Sequence, residues 1–275
     1  MAYRRVQFIG GKGEGPGRFA RTLRGLTVDK LNLLYAVGDS EVKVFDDGGR
    51  LRRQWPTAKA SYSVAVAGDG SVYVGETGQV EIFTAAGRLR DTWIDPERLG
   101  LVSAIGFVHG DVLLADAEDR CIRRYDANGK YLHDIGKDNR MRGFLIPNGI
   151  VDFSVDSAGI IHVTNPGKHR VERYTSDDKL VGHFGRFDGL DPAGFSGCCN
   201  PTNVTVAGEG RVYVTEKADP RAKVYDLDGN LIEVIAAEPF DLNCKNMDIA
   251  VDGHGRVYVA DTVRLGIHVF EGGAA

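Results

Sequence analysis

The chain has 275 residues, 43% of them hydrophobic and 26% charged, enough for one large domain or two ordinary ones. A formal net charge of -4 and a pI near 6.0 argue against a general polyanion-binding surface. No apolar run approaches the roughly 20 residues that span a bilayer, and the start, MAYRRVQFIG, lacks a secretory signal's apolar core. A soluble chain without membrane insertion is therefore expected, while an exported form whose leader had been cleaved would look the same and the compartment stays unknown.

In chain order, Tyr3 to Gly10 (YRRVQFIG) alternates like a strand but has no partner strand ahead of it. The following GGKGEGPG resembles a phosphate-binding loop only superficially, since no Lys-Ser/Thr pair and no helix follow it. Six strands then recur, LLYAVGD, SVYVGE, DVLLAD, IIHVTN, RVYVTE and RVYVAD, each followed by a strand closing on an aromatic residue. Those aromatics are Phe45, Phe83, Tyr125, Tyr174, Tyr225 and Phe270, separated by 38, 42, 49, 51 and 45 residues. Alternation with β-branched residues and Tyr marks half-buried strands, and Gly-rich turns between them mark hairpins. A further strand follows most aromatics, as in DDGGRLRRQW, TAAGRLRDTW, DANGKYLHDI and DLDGNLIEVI.

Val151 to Gly185 is the clearest copy: four short strands separated by turns at Asp156 to Gly159, Pro166-Gly167 and Asp177-Asp178. One such meander cannot bury both of its faces, so the copies must pack on one another. The sixth copy runs out of chain before its fourth strand, and the N-terminal strand supplies the missing piece. The predicted fold is all-β, a six-bladed β-propeller of four-stranded antiparallel blades, one domain over residues 1–275, closed by the N-terminal strand pairing with the last blade. Closure removes the edges that a linear array would expose.

The segments GLTVDKLNLLYAV, FSVDSAGIIHVTNPGKHRVERY, VTVAGEGRVYVTEKADPRAKVY and IAVDGHGRVYVADTVRLGIHVF, with the loop FIGGKGEGPGRF, resemble the NHL-repeat β-propellers over nearly the whole chain. Blades two and three depart most, with irregular turns at Gly75 to Gln79 and His109 to Asp111, and the Trp-Asp dipeptide of WD-type propellers is absent. The resemblance implies a fold rather than a chemistry, because that family includes RNA binders, protein-interaction platforms, sensor ectodomains and a zinc-dependent peptide lyase.

Three groups of residues are candidates for function. The innermost strands align at their starts as Leu26, Val64, Ala104, Asp152, Asn203 and Asp248, so blades four to six present oxygen where blades one to three present carbon. Asp152, Asn203 and Asp248 could hold a divalent metal ion or ordered water, or could hydrogen-bond backbone amides of neighbouring blades, which is the stronger reading. Second, Cys198, Cys199 and Cys244 precede adjacent innermost strands, Cys199 and Cys244 at equivalent offsets, and could converge on one rim. A cross-blade disulfide or plain packing is favoured there over a metal site or catalysis; Cys121 reads as a lone structural thiol. Third, the loops NPGKHRVERY and TEKADPRAKVY place Asn165, Arg170, Glu216, Lys217 and Arg221 on the same rim, where paired guanidinium groups could receive a carboxylate or phosphate. The arginines could equally pair with the acids recurring at the ends of second strands, Asp39, Glu76, Asp116, Glu216 and Asp261.

The seven histidines are scattered, with no three placed to converge, and the Asn203-Val204-Thr205 sequon opens an innermost strand. The leading functional reading is a monomeric propeller that binds a protein or small-molecule ligand at the channel rim of blades four to six. A metal-assisted lyase or hydrolase using the channel-mouth oxygens or the thiols is the alternative, and RNA binding is disfavoured by the acidic balance.

Overall fold

Six four-stranded antiparallel sheets make up the strand structure of residues 3–137, 141–235 and 240–272, the part of the chain that the computed structural model describes. Blade one is built from Gly25–Val28, Leu34–Gly38, Glu41–Phe45 and Leu51–Pro56, from channel to rim. Blade two takes Ser63–Val66, Val72–Gly75, Gln79–Phe83 and Leu89–Ile94. Blade three takes Val102–Val108, Asp111–Asp116, Cys121–Tyr125 and Tyr131–Ile135. Blade four takes Phe153–Val155, Ile161–Asn165, Arg170–Tyr174 and Leu180–Phe184, and blade five Val204–Ala207, Arg211–Glu216, Arg221–Tyr225 and Leu231–Ile235.

Blade six holds Ile249–Val251, Val257–Asp261 and Gly266–Gly272, and its outermost strand is Tyr3–Gly10. That strand runs antiparallel to Gly266–Gly272, from Tyr3 opposite Gly272 to Gly10 opposite Gly266, with a bulge between Arg5 and Gln7. The expected closure is therefore the one that forms. Each innermost strand touches that of the next blade, and the last touches the first, which completes the ring.

What locks one blade to the next is a repeated pair of side chains. The end of each outermost strand buries an apolar group against the aromatic closing the third strand of the following blade. Trp55 meets Phe83 at 5.9 Å between ring centroids, Trp93 stacks on Tyr125 at 6.2 Å, and Phe184 meets Tyr225 at 5.0 Å. Ile135 with Tyr174 and Ile235 with Phe270 share apolar clusters in the same way. Ile9, from the N-terminal strand, shares one with Phe45 of blade one. Such pairs contribute burial plus a directional preference of about 0.5–1.5 kcal/mol where both members are aromatic.

The turn between third and fourth strands must leave room for that contact. At Gly87 (φ +81°) a Cβ would lie 2.6 Å from the Trp55 ring, and at Gly229 (φ +88°) 2.2 Å from Phe184. Both the left-handed backbone and the missing side chain are needed there. Blade four has Asp178 at this turn (φ 64°), whose carboxylate accepts the Gly136 amide at 2.7 Å and so joins blade three to blade four by a hydrogen bond.

A second repeat is polar and buried. Two residues before each closing aromatic stands a titratable side chain: Lys43, Glu81, Arg123, Glu172, Lys223 and His268, all at most 4% exposed. Lys43 pairs with Glu41, Arg123 with Asp116 at 3.1 Å, Lys223 with Glu216 at 2.9 Å and His268 with Asp261 at 3.2 Å. Blade four inverts the polarity, with Glu172 receiving Arg170 and, at 3.2 Å, Lys168. Blade two places two acids together, and burial, reinforced by the neighbouring Glu81, pushes the Glu76 carboxyl above the usual range.

Candidate functional site

Hydrogen-bond register places the start of each innermost strand one residue earlier in blades one and two than the sequence alignment expected. Gly25 faces Val37 and Ser63 faces Gly75, at the level where Ala104 faces Ala115. Asp152, Asn203 and Asp248 occupy the same level, their carbonyls accepting the amides of Thr164, Thr215 and Ala260. The division into apolar and polar halves is thereby corrected. Turns of unequal length between second and third strands let an alignment anchored on the aromatics slip by one position.

At this level the side chains staple successive blades. Ser63 Oγ donates to the Val102 carbonyl at 2.8 Å, and Ser103 Oγ, at a bulge, donates to the Val151 carbonyl at 2.6 Å. Asp152 accepts the Val204 amide at 2.7 Å, and Asp248 accepts the Leu26 amide at 2.6 Å and that of Ile249 at 2.9 Å. Asn203 Nδ2 donates to Asp248 at 3.4 Å. Blade one contributes only Gly25, where a Cβ would lie 2.9 Å from the Ser63 Cα. Binding to backbone amides, the stronger of the two readings drawn from sequence, accounts for most of the oxygens that a metal ion would need.

Burial pushes both Asp152 and Asp248 above the usual carboxylate range, and for Asp152 the Asp248 charge adds to the effect. A carboxyl whose folded pKa exceeds its unfolded value stabilises the fold fully below about pH 4, where both states keep their protons. That stability is lost as pH rises toward the folded pKa, because the unfolded chain releases a proton that the folded chain retains. Asp152→Asn is therefore expected to gain on the wild type as pH rises above about 4 in urea titrations. Asp152→Ala, which strands the Val204 amide, should cost about 1–3 kcal/mol throughout. Equal pH slopes for wild type and Asp152→Asn would remove this account.

Above this ring the channel opens into a mouth of about 340 Å³, lined among others by Arg21, Arg24, Tyr62, Asn203, Lys245 and Asp248. The channel below, about 270 Å³, is lined by the innermost strands and includes Asp152 and Asp248. The Arg24 guanidinium lies 4.0 Å from the centre of the Tyr62 ring, a cation-π contact that fixes its plane. Arg21, Arg24 and Lys245 have no carboxylate partner among the described residues. Lys245 is anchored through its backbone, its amide donating to Thr262 Oγ1 at 3.1 Å. The mouth thus concentrates unpaired positive charge in a chain whose net charge is negative.

The other anticipated ligand residues lie outside this cavity and are engaged. Asn165 is buried and accepts the Leu145 amide at 3.1 Å. Arg170 is held by Glu172, and Arg221 by Glu216 and, at 3.0 Å, by Asp219. Glu216 also accepts the Ser196 amide at 3.4 Å, and Lys217 donates its amide to Asn200 Oδ1 at 2.8 Å. Other acids ending second strands bind loop amides in the same way, Asp39 accepting that of Thr22, Glu76 that of Lys59 and Asp116 that of Gly100.

The three thiols do not converge. All four cysteines are free, Cys199 and Cys244 being buried, so of the two favoured readings, a cross-blade disulfide or plain packing, the disulfide does not form. Cys244 is buried, with its thiol donating to Asp261 at 3.2 Å, while Cys198 and Cys199 face each other at 2.8 Å. Among the described residues no three His, Cys, Asp or Glu side chains are grouped to hold a metal ion. Buried His162 is bonded to Asp156 at 2.9 Å, and His254 lies in a turn against Asn32 at 3.0 Å.

Arg21, Arg24 and Lys245 escaped sequence reasoning because they lie in loops between blades, outside the repeat. The buried titratable position before each aromatic was visible in the alignment.

No family model matches the chain, and no curated protein matches it. Solved structures do. A protein of unknown function from Bacteroides thetaiotaomicron superposes with a TM-score of 0.73 at 16% identity, covering 98% of this chain and 75% of the other. Virginiamycin B lyase from Staphylococcus aureus gives 0.63 at 13%, covering 99% and 90%. The WD40 repeats of RRP9 give 0.68 at 10%, covering 97% of both chains. At such identities the likeness is one of fold.

Proposed function

We propose that this propeller, a single domain of NHL type, is a binding module that takes a small anionic ligand, bearing a carboxylate or phosphate, in the channel mouth between blades five, six, one and two. The observation that carries this reading is the trio Arg21, Arg24 and Lys245, which line one concave cavity and have no carboxylate partner among the described residues. Charge-assisted hydrogen bonds to an anion are about twice as strong as neutral ones, and a guanidinium held flat on Tyr62 loses little freedom in making them. The site moves away from the rim of blades four and five, where Arg170 and Arg221 are already neutralised.

Titration calorimetry with inorganic phosphate, pyrophosphate and citrate tests the proposal. At least one should bind the wild type, and Arg24→Ala with Lys245→Ala should weaken it about tenfold or more, a loss of about 1.4 kcal/mol. Binding unaffected by the double substitution, or no binding of any of the three, would sink it. The metal-assisted lyase or hydrolase reading has less support, since no side-chain group suited to a metal stands at the mouth among the described residues.

Protein binding has one observation of its own. Leu190 is 98%, Leu242 74% and Phe187 65% exposed, all in loops leading into blades five and six. A contiguous exposed apolar patch is a common mark of a contact surface, and these three side chains would supply its apolar groups.

A further inference from the structure

The loop entering blade five carries two adjacent cysteines with unlike surroundings. Cys198 is exposed and Cys199 is 4% exposed, and their sulfur atoms lie 2.8 Å apart, facing each other. The loop is held around them. Asn200 Nδ2 donates to the Ser196 carbonyl at 2.7 Å and to the Lys217 carbonyl at 3.0 Å, and its Oδ1 receives the Lys217 amide. The Lys217 charge acts electrostatically on both thiols. This is an accessible sulfur with a second sulfur poised behind it and a cation beside both, the arrangement that distinguishes reactive from inert cysteines.

We propose that Cys198 and Cys199 are a redox-active vicinal dithiol, a site of reversible oxidation by hydroperoxides that is independent of the channel mouth. Cys198 is the attacking sulfur. The hydrogen bond from Cys199, aided by the Lys217 charge, holds its thiol below the ordinary range, while burial holds the Cys199 thiol above it and keeps it a donor. The Cys198 thiolate attacks the terminal oxygen of a hydroperoxide; an S–O bond forms, the O–O bond breaks, and an alcohol, or water from hydrogen peroxide, leaves with one proton. Cys199 then attacks the sulfur of the resulting sulfenic acid; the S–S bond forms, the S–O bond breaks, and the oxygen leaves as water with the remaining proton. Two thiols lose two electrons and two protons to the peroxide, and an external thiol restores them by exchange.

The other two cysteines are internal controls. Burial pushes Cys121 up to about 12 and Cys244 up to about 11, both within the fold. Folded protein is treated with one equivalent of hydrogen peroxide, unfolded, alkylated and digested with trypsin. Both thiols fall in one peptide, 187–211. It should be lighter by two hydrogens and carry no alkyl group, restored by dithiothreitol, and formed at least about tenfold faster than any loss of thiol at Cys121 or Cys244. Cys198→Ser, a change at an exposed position, should abolish the product and leave Cys199 alkylated. Sulfinic acid at Cys198 with Cys199 still free, or no preference over the buried cysteines, would overturn the proposal.

Discussion

Glu216→Ala is expected to destabilise the chain by about 3–5 kcal/mol, the usual result of removing one partner from a buried ion pair. The carboxylate is 1% exposed and receives Lys223, whose side chain is wholly buried, together with Arg221 and the Ser196 amide. Burial pulls the Lys223 ammonium below its ordinary pKa while Glu216 opposes the shift, so deleting the acid leaves a buried cation with the Gly194 carbonyl, the face of Phe195 and the more distant Asp191 charge. Replacing both residues, as Glu216→Leu with Lys223→Met, should recover most of the loss, because an apolar pair of similar volume tolerates burial better than one stranded charge. Urea unfolding measures both. A cost below about 1 kcal/mol for Glu216→Ala would return this residue to the ligand-binding role its sequence position suggested.

Removing residues 1–10 should be as damaging in a different way. It strips blade six of its outermost strand, leaves the edge of Gly266–Gly272 unpaired, and uncovers the Ile9 contact with the cluster around Phe45. An exposed, unpaired edge also invites association between chains. The melting temperature should fall by at least about 10 °C, with aggregation on heating. Ile9→Ala isolates the apolar part and should cost about 2–4 kcal/mol. Unchanged melting of the shortened chain would contradict closure by the N-terminal strand.

The fold was legible because its determinants are local and repeated. Alternating β-branched residues, Gly-centred turns and a closing aromatic occur once per blade, and the missing fourth strand of the sixth copy pointed to Tyr3–Gly10. The oxygens of Asp152 and Asp248 were also legible as amide acceptors, since a polar group starting an innermost strand has the next blade's backbone within reach. What was hidden depends on the shape of loops between blades. Arg24 acquires its meaning only through Tyr62, 38 residues away in sequence and 4.0 Å away in space. Cys199 and Cys244 share a sequence offset, yet one faces Cys198 and the other Asp261, because the two loops differ in length and path.

The location of the binding site is tested most directly by mapping backbone amide shifts of labelled protein titrated with pyrophosphate. Shifts should concentrate at Arg21 to Arg24, Tyr62, Asn203 and Lys245 to Asp248, which line the mouth. Perturbation confined to the blade-four and blade-five loops around Arg170 and Arg221, with the mouth silent, would contradict the account.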